Sequence, residues 1–491
     1  MKKFAKKVVS VVLIFAAVLL LSACKNDNER WATETTTPSN QGDASADVTT
    51  ITFAIPAFCK INESYLMLFN EELLNDGYKY KLEIEYINYD FTNNEYFKSL
   101  EYELNNGSVD VAFLGLGDDS NSIYSLIMSG AVMNLDEVLS SDKGKALYES
   151  FPQALWEAVK CNGLIYSIPQ ANTDDNGIFV AFNTDYIEES AIENWDGSIN
   201  SIYKIINDIN WDDNVAPRFQ YLLTDYDFGK MIGCEIRKGL LYDYETKQIE
   251  NPLKSEKFIG YLQVLELMKN KGYMADSISY YQNTAYIDEE ANLSSGKFLV
   301  ALSSGEPEAY YLKKNITIKK ITPILSPRIN ASIGISSKTA NPDAVVDFLG
   351  LLYGNEKYGN ILLYGKQDLN YKLVDGFAVK IDGSELPYDF MTKISLNLFI
   401  NIHPVKGEGY TQNRKVEFFS FYKDVNFSPF IGFEADIAGN GAISSNLQKF
   451  LISLKEKSLD NAVKEYSAKL KNDGIDECLS SVNKQWDAFN K

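Results

Sequence analysis

Histidine is nearly missing: His403 is the only one in 491 residues. That scarcity excludes most imidazole-driven acid–base catalysis and most zinc sites. The chain has five cysteines. Four of them, Cys59, Cys161, Cys234 and Cys478, lie too far apart for a zinc ribbon or a CxxC redox pair. Outside the cytosol they could pair in three ways or stay as buried thiols, and free structural thiols are the favoured expectation. Past the leader, no stretch reaches 18 apolar residues, so no spanning helix is expected there. There is no P-loop, no G-x-S-x-G elbow and no HExxH. No internal repeat of 20–50 residues is present, which excludes solenoids and propellers. Basic residues are also in deficit, with Lys+Arg 47 against Asp+Glu 67 and a net charge of −20. Four lysines sit in the first seven residues, so the body is more acidic still. Such a body repels phosphate backbones and argues against nucleic acid as a partner.

What is present is a globular composition, 45% hydrophobic, 13% aromatic and 23% charged. The length asks for two large domains or one domain with big insertions. Lys2, Lys3, Lys6 and Lys7 form a positive start, followed by an apolar run over residues 8–21 broken only by Ser10. About 14 helical residues cover ~21 Å, short of the ~30 Å hydrocarbon core, so a signal peptide over residues 1–23 fits better than a membrane span. The run ends Leu21-Ser22-Ala23-Cys24, which resembles the bacterial lipobox. Cys24 is then the expected lipid-attachment residue, and two acyl chains would anchor the protein without a transmembrane helix. Residues 24–50 are polar apart from Trp31 and read as a flexible tether.

Residues 51–55 form an apolar run stopped by Pro56, the first strand. Leu66, Phe69 and Leu73 recur at helical spacing before Gly77. Leu82, Ile84 and Tyr86 alternate with charged residues as a half-buried strand. Phe97, Leu100 and Leu104 restore the helical period, and residues 109–114 read as a buried strand. This alternation is the α/β pattern with a parallel-rich sheet, whose ligands sit beyond the carboxyl ends of the strands. Those ends here are residues 56–63 and 115–122. Farther on, Asn341 and Pro342 open a helix carrying Val345, Phe348, Leu349 and Leu352. Leu459, Val463, Tyr466 and Leu470 mark a late helix ended near Gly474.

The search for catalytic constellations mostly fails. Gly115-Leu116-Gly117 is followed by Asp118-Asp119, and two carboxylates would repel a pyrophosphate. Residues 172–177 mimic the start of a calcium loop, but position 12 is Asn183 and no leading aspartate is present. The acid pairs Asp118/Asp119, Asp174/Asp175 and Asp212/Asp213 cannot flank one glycosidic bond and read as solvated loops and caps. His403 reads as a surface or satisfied structural residue. Neither metal nor cofactor is expected. What remains is rich in aromatic and amide side chains, with Tyr 31 and Phe 27. Most of these rings must be core. Those at strand-end loops, such as Phe58, Tyr310, Tyr311 and Phe433, could offer apolar faces to sugar rings.

The order of segments then resembles the extracellular solute-binding proteins of ATP-binding-cassette importers, of the carbohydrate type. Residues 130–139, "GAVMNLDEVL", look like the family's "G…ldLdel", and residues 161–169, "CNGLIYSIP", like its "dGkiYgiP" with an unusual cysteine. Residues 178–187, "IFVAFNTDYI", resemble the strand entering the second lobe. Asn194-Trp195-Asp196 and residues 295–306, "SGKFLVALSSGE", resemble later segments. Residues 363–376, "LYGKQDLNYKLVDG", and the Gly474-Ile475-Asp476 to Gln485-Trp486-Asp487 ending are similar to lipoprotein-type members. Glu434-Ala435-Asp436 departs from the usual "GFsFD".

This resemblance implies a two-lobe fold of the periplasmic-binding-protein type II, its lobes joined by crossing strands near residues 169–172, 326–330 and 426–433. The implied lobes are residues 51–170 with 328–428, and 171–327 with 429–491. It implies a monomer that closes on a small solute, an oligosaccharide in preference to a peptide, and delivers it to permease subunits. An extracellular glycan hydrolase, or a sensor or adhesin, remains the alternative. Strand-end logic selects Phe58 and Asp118 for the site. Alignment with the family selects Asn172, Glu306, Phe433 and Glu434, with rings for stacking and polar groups for hydroxyl hydrogen bonds.

Overall fold

The computed structural model describes residues 48–491 apart from 90–94, 116–119, 172–177, 214–215, 224–228, 275–295, 305–314, 322–323, 326–331, 384–385, 387–389, 406–412, 424 and 438–440. Its first sheet is built around the strand Thr49–Pro56, which pairs in parallel along its whole length with Tyr80–Ile87. Val111–Phe113 pairs in parallel on the other side, and Ile333–Ile335 closes the sheet antiparallel. The strand starts two residues earlier than the polar composition suggests. Thr49 and Thr50 pair with Tyr80 and Lys81, because a β-branched threonine suits a strand as well as a tether. The run at residues 109–114 yields a strand over Val111–Phe113 only, since Asp110 turns its backbone N–H and carboxylate onto Thr52.

Helices cover this sheet for the reasons the periodicity supplies. Glu63–Asn75 starts at Asn62, whose side chain accepts from the Ser64 N–H, and it buries Phe69 and Leu73. Glu95–Asn106 buries Tyr96, Phe97, Leu100 and Leu104 on one face. Pro342–Gly354 is capped by Asn341, which accepts from the Ala344 N–H at 3.1 Å.

The second sheet is mixed, not parallel-rich. Its order is Ile316–Ile321, Ile178–Asn183, Val300–Ser304, Phe219–Leu222, and only the last pair is parallel. All six residues of Ile178–Asn183 are buried. Ile178, Val180 and Phe182 face the large core on one side, while Phe179 and Ala181 face a small cluster with Phe298 and Ala301 on the other. A strand buried on both faces reads as an unbroken apolar run, whichever direction its neighbours take.

Two separate hydrophobic cores result. One draws on residues between Ile51 and Ala171 and between Leu325 and Tyr422. The other draws on residues between Ile178 and Leu302 and between Phe430 and Trp486, including the helices Gly441–Ser453, Leu459–Asn472 and Ile475–Phe489. The short strands Ile324–Leu325 and Asn426–Phe427 pair in parallel where the chain changes core. Among the described residues no helix is long and apolar enough to cross a membrane.

Candidate functional site

The carboxyl ends of the first sheet's parallel strands gather a chain of aromatic rings. After Pro56 the backbone turns back, with the Cys59 N–H donating to the Pro56 carbonyl at 2.9 Å. The turn leaves Phe58 outermost and 41% exposed. Its ring meets Tyr89 edge-on at 5.6 Å, and Tyr89 packs on Tyr96 at 4.6 Å. Tyr96 is fully buried and donates to the Phe113 carbonyl at 2.6 Å. Burial raises its hydroxyl well above the ordinary tyrosine range, so it stays a neutral donor. An anchored ring thus supports a half-exposed one at the mouth of the strands. Phe58 was expected there; Tyr89 was not, although its place two residues past the second strand is a usable signal.

Of the other expected residues, Asp118, Asn172 and Glu306 lie outside the described residues, as does the calcium-like segment. Phe433 and Glu434 are described, and neither is open to a ligand in this conformation. Phe433 is 1% exposed, with its ring against Trp486 at 5.2 Å and Phe489 at 5.5 Å. The face expected to stack on a sugar is covered by the last helix, because burying a phenylalanine removes more apolar area from water than a strand-end perch would. Glu434 is 5% exposed, and each carboxylate oxygen is taken by a cation. One faces Lys238, and the other lies 3.4 Å from Arg237. In this conformation its carboxylate sits in a buried ion pair.

That pair belongs to a larger polar cluster. Arg237 stacks 4.1 Å over Tyr242, approaches Glu235 at 3.3 Å and donates to the Phe433 carbonyl at 3.0 Å. Burial opposes its charge, but Glu235, Tyr242 and Glu434 hold the guanidinium above its ordinary value. Burial, then Asp436, Cys161 and Glu434, push the Tyr124 hydroxyl up to about 12. Burial, reinforced by Glu434, likewise pushes the Cys161 thiol up to about 12, so it is an unreactive thiol at neutral pH. Cys59, Cys161 and Cys234 are buried thiols, Cys59 meeting the Ser395 hydroxyl at 3.3 Å, and Cys478 is a half-buried one.

The first passage between the cores is clamped from the side. Asn397, in the left-handed region at φ 55°, accepts from the Ala171 N–H at 2.7 Å and donates to the Pro169 carbonyl at 2.8 Å. Gln170 adds a bond to the Ile394 carbonyl at 3.1 Å. Sequence reasoning had no means of finding Asn397, which lies 226 residues from its partner.

His403 sits among structural contacts: its N–H donates to Asn360 at 2.8 Å and its carbonyl accepts from Tyr364. Burial lowers its imidazole from the usual value, so it is neutral at pH 7. Asp213 holds Arg218 through two bonds of 2.9 and 3.2 Å. No group of three metal-ligating side chains occurs among the described residues. A groove of about 810 Å³ runs beside Gln153, Glu157, Tyr422 and Phe427, and none of the described expected ligand residues, Phe58, Phe433 and Glu434, lines it.

Two large cores, each packed against its own sheet, make this a type II periplasmic-binding-protein-like fold. No protein-family model matches the chain. A curated relative from Streptococcus pneumoniae serotype 4 (strain ATCC BAA-334 / TIGR4), named carbohydrate ABC transporter substrate-binding protein, is 22% identical over 449 residues. That match covers 84% of this chain and 85% of the relative. Among solved structures, the N-glycan transport solute binding protein NgtS from Streptococcus pneumoniae superposes with a TM-score of 0.62 at 20% identity, covering 90% of this chain and 98% of NgtS. The same protein in complex with Man1GlcNAc gives 0.55 at 19% identity, over 90% and 99% of the two chains.

Proposed function

We propose that this chain is the extracellular solute-binding subunit of an ABC importer, capturing an oligosaccharide between its lobes and delivering it to permease subunits. The observation that carries the reading is the two-core architecture itself, aligned over nearly its whole length with carbohydrate-binding relatives. The lobes are taken as residues 51–170 with 328–428 and 171–327 with 429–491. A solute that touches both lobes binds the closed form better and so shifts the hinge towards it. Micromolar capture needs only about −8 kcal/mol, within reach of one or two ring stackings and several hydrogen bonds. Phe58 supplies a stacking face, supported from behind by Tyr89. Asp118, Asn172 and Glu306 supply polar contacts to hydroxyls. The protein acts as a monomer, without metal or cofactor, and returns its ligand unchanged.

The test combines two readouts. Pure protein is incubated with an oligosaccharide panel that begins with Man1GlcNAc, and thermal shift and product release are followed together. A raised melting temperature with intact glycan is expected, together with a smaller radius of gyration by small-angle scattering. Released product would instead establish the hydrolase reading, and tight binding without compaction would remove hinge closure. With a glycan in hand, Phe58→Ala should weaken binding by roughly 1–3 kcal/mol, comparable with losing one aromatic face. The melting temperature of the free protein should barely move, because that ring is half-exposed. Unchanged affinity would take Phe58 out of the site.

The anchor is the second part of the proposal. Cys24 carries the lipid, motivated by Leu21-Ser22-Ala23-Cys24 after the apolar run. Cys24→Ala should abolish lipid labelling and either leave the precursor uncleaved or release protein into the medium. Labelling and membrane retention equal to the parent protein would refute it.

A further inference from the structure

Two tight turns from different lobes face each other across the third passage between the cores. In the first lobe, Lys160–Cys161 and Leu164–Ile165 are joined by Asn162-Gly163, with φ of 51° and 85°. In the second lobe, Cys234–Arg237 and Leu240–Asp243 are joined by Lys238-Gly239, with φ of 51° and 79°. Both central residues of each turn have positive φ, as a two-residue type I′ hairpin requires. Asparagine suits that place; lysine does not, since its Cβ crowds the backbone there. A residue held in that strained conformation needs a compensating contact. The turn is also seated firmly, because a Cβ on Gly239 would come within 2.9 Å of Ile443 and Ser444.

What the two turns hold is the same stretch of chain. The Gly163 N–H donates to the Gly432 carbonyl at 3.3 Å, and the Glu434 N–H donates to the Asn162 side-chain oxygen at 3.4 Å. From the other side, Lys238 pairs with the Glu434 carboxylate and donates to the Ala435 carbonyl at 3.2 Å. Arg237 donates to the Phe433 carbonyl at 3.0 Å. The Lys238 ammonium then rests 5.2 Å above the ring of Tyr124, which packs in the first core.

We propose that these two turns and Glu434 form the pivot of lobe motion, with Lys238 as its positioning residue through its seat on Tyr124. Residues 432–435 are bonded to both lobes and cannot slide, so relative rotation must be absorbed by a contact that tolerates a change of angle. A cation over a ring face does so, because its attraction depends weakly on direction; the hydrogen bonds around it do not. The cleft therefore opens away from this point. The inference deepens the proposed function and rests on its reading of a hinge.

The experiment uses ligand-free full-length protein, so its failure is distinct from a failure to bind oligosaccharide. Amide exchange at Gly163 and Glu434, and the small-angle scattering profile, are compared for wild type, Lys238→Met, Lys238→Arg and Tyr124→Leu. Lys238→Met and Tyr124→Leu should speed exchange at both amides on the order of tenfold and increase the radius of gyration. Protection at the strand residues Phe53 and Val180 should fall less than at these two amides, which separates a loosened pivot from general destabilisation. Lys238→Arg, which keeps a cation over the ring, should behave as wild type. Unchanged exchange or unchanged scattering in Lys238→Met, or an arginine variant as loose as the methionine one, would overturn the proposal.

Discussion

Glu434→Ala should lower the unfolding free energy by about 3–5 kcal/mol, the cost of removing one partner from a buried ion pair. Glu434 is 5% exposed and faces Lys238, whose side chain is 7% exposed, and Arg237, whose side chain is 17% exposed. Deleting the carboxylate leaves two positive charges in a site that water reaches poorly. Glu235, 3.3 Å from Arg237, can answer one of them. Lys238 keeps the Ala435 carbonyl and the Tyr124 ring, neither of which carries a full negative charge. Denaturant unfolding measures the loss directly. Restoring neutrality with Glu434→Ala combined with Lys238→Met should recover part of it, because the uncompensated charge goes with the lysine. A single-variant loss below about 1 kcal/mol would mean that the cluster is hydrated, in the range of a surface pair.

Phe433→Ala, one residue away, should cost a similar amount for a different reason. Its ring is 1% exposed and packs against Trp486 and Phe489, and Phe430 also touches Trp486 at 4.7 Å. Truncation removes the transfer free energy of the ring and leaves a cavity, which for a core phenylalanine amounts to about 3–5 kcal/mol. The last helix, Ile475–Phe489, bears on that cavity and should lose protection first in hydrogen exchange. Any effect on glycan binding should follow from the stability change, so that the fraction still folded binds with near-normal affinity. A stable Phe433→Ala protein that had lost its ligand would return the ring to the cleft.

These two neighbours show where sequence reasoning reaches its limit. Segment likeness to solute-binding proteins selected Phe433 and Glu434 as ligand contacts near an expected crossing, and the structure shows Phe433 packed in the second core and Glu434 in a buried ion pair. It could not tell a ring facing a ligand from one facing Trp486, since both are a phenylalanine after a glycine. Phe58 differs because its surroundings are local. A strand stopped by Pro56 leaves the next residues at the strand's end, and Phe58 is half-exposed there.

Local sequence accounts for the elements whose signal lies within a few residues. The first strand and helix, the cap at Asn341 and the break at Gly474 follow from periodicity, side-chain capping and glycine. The mixed direction of the second sheet was beyond that reach, because a strand buried on both faces has the same composition in either direction. Tertiary structure alone decided the clamp of Asn397 on the first passage, the stack of Tyr89 behind Phe58, and the meeting of the Asn162-Gly163 and Lys238-Gly239 turns around Glu434. Each joins side chains separated by tens to hundreds of residues, and no local pattern encodes which distant partner will satisfy a buried charge or amide.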